Sequence, residues 1–322
     1  MRFRTEVRKH IVGKLKRGEK METVSETIEN CERLQNLLEK SKRRRYRLLE
    51  KNREYCERSK AIRNQALNQP YPLKRMEQGR KRFPILLWLI RARLFLNGVK
   101  IIKLNALEID NVKRPIIFVP THIGKFDIEV AYSCINEHAL LLSGTEERMH
   151  GSADGVFLEM NGVNYVDRTD KLDRGNSVKK MQKDLEHGFN LLWFIEGTWN
   201  LSANRLVYPL SWSVVKLALQ CDAVIVPMGF NQIGKTIYVK FGGPFRPDAD
   251  KDPAESILEL RDILATLKWD IYECIGQTRR DGFIERASLD KEYWEKYLYE
   301  RIREWPMTDL MEEMEYVFRE KR

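Results

Sequence analysis

The stretch PIIFVPTHIGKFD, residues 115–127, decides the fold class. Its first half is a short run of apolar and β-branched residues, which predicts a strand buried on both faces. The run ends just before His122, and Asp127 follows in the next turn. Sheets of α/β proteins place their reactive groups at the carboxyl ends of such strands. We therefore expect Asp127 to fold back onto the His122 imidazole.

Similar apolar runs follow along the chain and alternate with amphipathic stretches. The predicted strands are ALLLSGT (139–145), VNYVD (163–167), LLWFI (191–195), AVIVPMGF (223–230) and TIYVKF (236–241). Segments 177–187 and 211–220 have the pattern of amphipathic helices. This alternation predicts an α/β fold, with a mainly parallel sheet flanked by helices. Pro227, inside one of the runs, favours an edge strand or a bulge.

His122 and Asp127 are the candidate catalytic residues. A carboxylate on one ring nitrogen fixes the tautomer and raises the basicity of the imidazole, which leaves the other nitrogen to take a proton. The alternative reading of a His followed by an Asp is a pair of surface polar residues. The five His and five Cys of the chain do not cluster at metal-ligand spacing, so no metal is expected. Few, widely spaced cysteines favour a reduced, cytosolic protein.

Two further predicted strands also end in polar residues. GVNYVDR, residues 162–168, ends in Asp167 and Arg168, and LLWFIEGTWN, residues 191–200, brings Glu196, Gly197 and Thr198 into a turn. Such a turn offers a carboxylate, a hydroxyl and backbone N–H groups to a polar ligand. The alternative is an ordinary strand end, with Arg168 paired locally and Glu196 exposed.

The order of these motifs resembles the lysophosphatidate acyltransferase (PlsC-like) family of glycerolipid acyltransferases. The matching pieces are His122 with Asp127, Gly162 with Arg168, Phe194 with Glu196, Gly197 and Thr198, and Val226 with Pro227, within residues 83–245. The resemblance implies transfer of a fatty-acyl group from a thioester on coenzyme A or acyl carrier protein to a lysophospholipid such as 1-acylglycerol-3-phosphate, in phospholipid biosynthesis. It implies His122 as general base, Asp127 as its orienting partner, and substrate contacts from Arg168, Glu196, Gly197 and Thr198. No cofactor besides the thioester donor is implied.

The third motif departs from the family, which usually reads F-P-E-G-T-R-S. Ile195, Trp199 and Asn200 replace the Pro, Arg and Ser, so an Arg that would help to hold an acceptor phosphate is missing. Arg168 remains, and Arg205 is a possible substitute. Two alternative functions stay open: N- or O-acylation of another small acceptor, such as an amino acid or an amine lipid, and a catalytically silent membrane-binding module.

Basic charge is concentrated at the N-terminus. The chain has 57 Lys plus Arg and 47 Asp plus Glu, a net charge of +10. Residues 1–82 contain about 25 basic and about 11 acidic side chains, or roughly +14, which predicts attraction to an anionic membrane surface. The alternatives are a solvated helix face or a nucleic-acid patch. No nucleic-acid-binding motif accompanies the charge, so nucleic acid is not expected.

The predicted organisation has three parts. Residues 1–82 form a basic helical arm, 83–280 the acyltransferase domain, and 281–322 a helical C-terminal tail. Segment 74–99 is predicted to form one or two helices opened by Pro84. Its part 83–99, FPILLWLIRARLFLNGV, is predicted as an interfacial helix, since Arg91 and Arg93 interrupt it too early for a membrane span. The alternative is that this helix packs on the sheet as core. With no secretory signal visible, we expect a cytoplasmic protein, peripheral on the cytoplasmic face of the membrane.

Overall fold

The computed structural model describes residues 52–144, 146–201 and 205–275. The chain divides into two compact units, Met1–Ser59 and Lys60–Arg322. In the first unit residues 52–59 are helical, and in the second residues 60–66 are helical. The rest of the predicted arm helix and the predicted helical tail, residues 281–322, lie outside the described residues.

The second unit alternates strands with helices, as the sequence predicts. The helices are α1 (Leu73–Leu96), α2 (Asp127–Ile135), α3 (Glu146–Met149), α4 (Ala153–Asn161), α5 (Lys171–Glu186), α6 (Ser213–Gln220) and α7 (Pro253–Cys274). The strands are β1 (Lys100–Lys103), β2 (Ile116–Pro120), β3 (Ala139–Ser143), β4 (Val163–Tyr165), β5 (Asn190–Leu192), β6 (Val224–Ile233) and β7 (Thr236–Phe241).

The seven strands form one sheet in the order β1-β7-β6-β2-β5-β3-β4. Five neighbouring strands, from β6 to β4, are parallel, whereas β7 pairs antiparallel with β6 and parallel with β1. The predicted mainly parallel sheet is confirmed. Because β2, β5, β3 and β4 run in one direction, the loops after them meet at one edge of the sheet.

The sheet lies between two layers of helices. Along β2, Ile116 and Phe118 pack on the side of α1, α2 and α4, whereas Ile117 and Val119 pack on the side of α5, α6 and α7. Successive side chains of a strand point to opposite faces, so a strand covered on both sides needs an unbroken apolar run. This explains why every residue of β2 is buried.

The structure corrects the predicted start of α1. The helix begins at Leu73, so Pro84 lies inside it rather than in its first turn. An internal proline removes one helical hydrogen bond. Here Pro84 is exposed, and burial of Phe83, Leu86 and Leu87 on the core face offsets that loss. No helix among the described residues has the length and apolar character needed to span a bilayer.

Pro227 lies in a central strand, not at an edge, because β6 has β2 on one side and β7 on the other. The backbone pairing between β6 and residues 241–245, opposite Pro227, is irregular. Met228 pairs with Phe241 and Ile225 with Phe245, so three steps along β6 face four steps on the other side. This extra residue opposite Pro227 matches the predicted bulge, since a bulge lets the ladder continue without the proline N–H.

Candidate active site

His122 and Asp127 form a hydrogen-bonded pair at the carboxyl end of β2. His122 Nδ1 lies 2.6 Å from Asp127 Oδ2, and the same oxygen accepts the backbone N–H groups of Ile123 (3.0 Å) and Gly124 (3.1 Å). Asp127 is buried and begins α2, where the helix dipole also stabilises an anion. With Nδ1 bonded to the carboxylate, Nε2 is the nitrogen available to a substrate, and it has no hydrogen-bond partner among the described residues.

The turn after β5 holds the backbone of His122 on both sides. Glu196 Oε1 accepts the His122 N–H over 2.8 Å, and the His122 carbonyl accepts the Asn200 N–H over 2.7 Å. The other carboxylate oxygen, Oε2, accepts the Tyr208 N–H at 2.8 Å and the Asn200 amide at 3.3 Å. Glu196 is fully buried. Its carboxylate therefore accepts hydrogen bonds from His122, Asn200 and Tyr208, and it holds the backbone of His122 in place.

Two aromatic rings border the His122 imidazole. The Phe194 ring lies 4.5 Å from it, centroid to centroid, in a tilted arrangement. The Trp199 ring lies 6.1 Å away and nearly perpendicular, at 80°. Trp199, at the position where the family usually has an Arg, is thus beside the imidazole. It gives this side of the site an apolar wall instead of a second cation.

Arg168 reaches the same edge of the sheet from the loop after β4. Its NH1 donates to the Gly197 carbonyl over 2.5 Å, which links the second motif to the third. The guanidinium passes directly over Gly144, where a Cβ atom would stand 2.4 Å from Arg168 Nε. Gly144 follows β3, so three neighbouring strand ends fix the position of Arg168. A side chain at this position would require the Arg168 guanidinium to move.

Residues 102–231 match the family model described as Acyltransferase. The chain is similar to the acyltransferase family over these residues, which include His122, Asp127, Arg168 and Glu196. Among solved structures, the 1-acyl-sn-glycerophosphate (LPA) acyltransferase PlsC from Thermotoga maritima is similar, with 12% identity over 56% of this chain and 76% of that chain, at a TM-score of 0.46. No curated protein sequence matches the chain.

Within residues 102–231, the fold brings the predicted site residues to one edge of the sheet. Gly197 has a φ of +78°, which favours glycine, and its N–H donates to the Phe194 carbonyl. Thr198 is buried. Arg205 contacts the site through its carbonyl, which accepts the Asn200 amide over 3.1 Å. The substrate-binding roles of these residues stay predictions.

Sequence reasoning missed two residues of this region. Asn200 was noted only as a departure from the family, but its N–H and side chain join His122 to Glu196. Gly144 lies under Arg168, and a glycine at the end of an apolar strand was the only signal for it. Neither contact follows from local spacing, because each joins segments far apart in sequence.

A mainly apolar, partly open cavity lies beside the turn that contains Asp127. It lies between α1, α2 and α4, and its lining includes Leu86, Ile90, Ile128, Tyr132, Phe157 and Leu158. Its charged lining residues are Lys125 and an ion pair between Arg93 and Glu129, 3.4 Å apart, in a wall that is otherwise mainly apolar. Among the described residues, no group of three or more His, Cys, Asp or Glu side chains is placed to bind a metal ion.

Proposed function

We propose that this protein transfers a fatty-acyl group from a thioester donor, on coenzyme A or acyl carrier protein, to a lysophospholipid such as 1-acylglycerol-3-phosphate, in phospholipid biosynthesis. The observation that supports it best is the His122–Asp127 pair, 2.6 Å apart, within the residues that are similar to the acyltransferase family. Its intact geometry argues against the alternative of a catalytically silent membrane-binding module.

In the proposed reaction, His122 Nε2 removes the proton from the acceptor hydroxyl while the oxygen attacks the thioester carbonyl carbon. The buried Asp127 carboxylate stabilises the imidazolium that forms. The tetrahedral intermediate then expels the thiolate as the C–S bond breaks, and the imidazolium returns its proton to sulfur. The products are an ester and a free thiol. The acyl group passes directly from donor to acceptor, so neither a metal nor a protein nucleophile takes part.

The apolar cavity supports a long acyl chain as the transferred group. It begins beside Lys125 and Ile128, which flank the turn of the catalytic pair, and it extends between α1 and α4. Burying methylene groups there contributes about 0.8 kcal/mol each. We propose that the acyl chain of one substrate lies in this cavity while its carbonyl group, or the acceptor hydroxyl, lies at His122.

The acceptor is proposed from Arg168 and Trp199. Arg168 donates a hydrogen bond to the Gly197 carbonyl, and a guanidinium is the side chain best suited to bind a phosphate with parallel N–H donors. A phosphate-bearing lysophospholipid is therefore the leading acceptor. Trp199 favours the second candidate, an amine or amino-acid acceptor, because an aromatic ring beside His122 offers packing instead of charge.

The outer face of α1 supports a membrane surface as partner. Trp88 is 67% exposed and Phe95 is 82% exposed, with Ile85 and Leu96 also exposed on this helix. Arg82 and Arg91 are exposed close to them in sequence. Exposed aromatic and aliphatic side chains flanked by arginines are typical of a helix that lies in the membrane interface. We propose that the protein is peripheral on an anionic membrane, at its cytoplasmic face.

The proposal is tested by mass spectrometry of lipids after incubation of the purified protein with acyl-CoA or acyl carrier protein thioesters and lysophosphatidate. We expect a diacyl product with the wild type and a 10²–10⁴-fold lower rate with His122→Ala, since a positioned base contributes about that much. His150→Ala is a matched control, because His150 also lies near a carboxylate, 3.7 Å from Glu159. Turnover of an amine with none of any lysophospholipid would replace the leading acceptor with the second one.

A further inference from the structure

Residues 60–71, which precede α1, make charged contacts with the loop that contains Arg168. Lys60 Nζ lies 2.9 Å from Asp167 Oδ2 and 3.4 Å from Asp170 Oδ2. These two aspartates lie on either side of Arg168 in sequence. The one lysine therefore bridges both halves of the loop.

Arg63 makes a second and more buried bridge. Its NH1 pairs with Glu146 and its NH2 lies 3.3 Å from Asp173 Oδ2. That same oxygen accepts the backbone N–H of Asp167 over 2.7 Å. The Arg63 side chain is 16% exposed and that of Asp173 is 3% exposed, so solvent screens this pair far less than a surface ion pair. Arg63 thus holds, through one carboxylate, the backbone just before Arg168.

The contacts continue along α5. Asn176 Nδ2 donates to Asn64 Oδ1 over 3.1 Å, and Lys183 Nζ donates to the Leu67 carbonyl over 2.6 Å. At the far end, the Tyr71 hydroxyl donates to Asp184 Oδ1 over 2.8 Å. Segment 60–71 therefore lies along α5 over most of its length.

Arg168 itself depends on the position of this loop. Its carbonyl accepts Arg174 NH1 over 2.8 Å, which fixes the backbone, and its guanidinium reaches the Gly197 carbonyl over 2.5 Å. The guanidinium also lies over Gly144, at the end of β3. A shift of the loop by about 1 Å would remove it from the acceptor site, and displacements of that size can cost about 100-fold in rate.

We propose that residues 60–71 are an intramolecular strap that positions the Arg168 loop for acceptor binding, with Arg63 as its principal positioning residue. This inference rests on the proposed function. It gives the last part of the predicted arm a role in the site itself, separate from any attraction of the arm to a membrane.

The test is a double-mutant cycle in the full-length protein, with KM for lysophosphatidate and kcat measured separately. Arg63→Gln should raise the acceptor KM by about tenfold, within the usual range of coupling between contacting groups, and leave kcat nearly unchanged. In an Arg168→Ala background, Arg63→Gln should raise the acceptor KM little further. Arg63→Lys, which keeps the charge, should restore part of the loss. Lys251→Gln is the matched control, because it removes an exposed ion pair with Glu259, 2.6 Å long, on α7.

Hydrogen–deuterium exchange separates failure of the strap from failure of the proposed function. Arg63→Gln should speed exchange in residues 166–170, and Lys251→Gln should not. Unchanged exchange there, or equal effects of Arg63→Gln in both backgrounds, would overturn the strap. A different outcome is that Arg168→Ala leaves the acceptor KM unchanged while Arg63→Gln speeds exchange in residues 166–170 as expected. In that case the strap holds the loop, but Arg168 does not bind the acceptor phosphate.

Discussion

The backbone N–H of His122 donates a hydrogen bond to Glu196 Oε1 over 2.8 Å, across the gap between the ends of β2 and β5. Glu196 is fully buried, so its carboxylate is fixed by the protein around it. Glu196, which the sequence suggests as a substrate ligand, contacts the backbone of His122, the predicted catalytic base. Its geometry suits the positioning of His122 better than direct contact with a substrate.

The first prediction concerns Glu196. Glu196→Ala leaves the N–H groups of His122 and Tyr208 without their acceptor, so His122 should shift and kcat should fall by about 100-fold, with a smaller change in KM. Glu196→Gln keeps one acceptor oxygen, so its kcat should fall less. Steady-state kinetics with both substrates measures the changes in kcat and KM separately.

The control for Glu196 is a variant that lowers stability elsewhere. Asp252→Ala removes the side-chain cap of α7, where Asp252 accepts the Ala254 N–H over 2.8 Å, and should cost about 1 kcal/mol. Its kcat should stay near that of the wild type. A kcat loss in Glu196→Ala no larger than in Asp252→Ala would show that Glu196 acts only through stability.

The second prediction concerns the acceptor. Arg168→Ala should weaken a phosphorylated acceptor by about 10–100-fold, because hydrogen bonds to charged groups contribute about 1.5–3 kcal/mol. Trp199→Arg should restore a second cation and strengthen binding of the same phosphorylated acceptor. Acceptor KM values for lysophosphatidate and for an amine measure both effects, with Arg261→Ala, an exposed ion-pair residue on α7, as the control. Equal effects of Arg168→Ala on the KM of the phosphorylated acceptor and of the amine would show that Arg168 does not bind the phosphate.

The third prediction concerns the cavity. Leu158→Trp adds volume inside it and should shift donor preference toward shorter acyl chains, lowering kcat/KM for a long chain relative to a short one by about tenfold or more. Competition among thioesters of graded length measures the shift. Leu258→Trp, at an exposed position on α7, should change nothing. An unaltered chain-length profile in Leu158→Trp would place the acyl chain elsewhere.

The fourth prediction concerns α1. Trp88→Glu and Phe95→Glu should each weaken binding to phosphatidylglycerol vesicles by about tenfold or more, because burying one such side chain contributes about 1.5–3 kcal/mol. Cosedimentation measures the bound fraction, and Leu258→Glu is the control. Deleting residues 1–51 should reduce the salt dependence of binding, since exposed charges are screened within about 8 Å at physiological ionic strength. If both glutamate variants sediment like the wild type, this face of α1 is not the docking surface.

The fifth prediction concerns pH. Burial alone would raise the pKa of Asp167, but hydrogen bonds from Thr169 and Lys60 outweigh it and hold this pKa at about 2, below the ordinary 3.8. A lowered pKa stabilises the folded state above the unfolded-state value, and this contribution is lost as the pH falls through about 2. The effect is modest, because Asp167 is only partly buried.

Urea unfolding of the wild type and of Asp167→Asn at a series of pH values measures this contribution. The wild type should have the larger free energy of unfolding at about pH 6, and the difference should shrink as the pH falls from about 4 toward about 2. Lys60→Gln removes one stabilising partner and should move this loss to higher pH. A difference that stays constant across the range would show that Asp167 contributes no proton linkage.

Much of the fold follows from local sequence patterns. Strand β7 has the bounds predicted from TIYVKF, because its apolar residues alternate with polar ones. Strand β5 is shorter than predicted and ends at Leu192. The Trp193 N–H still donates to the Phe118 carbonyl of β2, and the chain then enters the turn that holds His122. The predicted helix start at Pro84 is wrong because a proline is a local signal, whereas the buried face that offsets it exists only in the folded core.

The sequence by itself determined the mainly parallel sheet, the pairing of His122 with Asp127 and the resemblance to the acyltransferase family, because these depend on apolar periodicity and on short motifs at strand ends. Only the tertiary structure decided what Glu196, Gly144 and Arg63 contact. Each of them acts on a residue at least 20 positions away in the chain, and the sequence does not indicate which strand ends become neighbours. The strand order brings β2 beside β5 and the end of β3 beneath Arg168, and the positions of these side chains follow from that order.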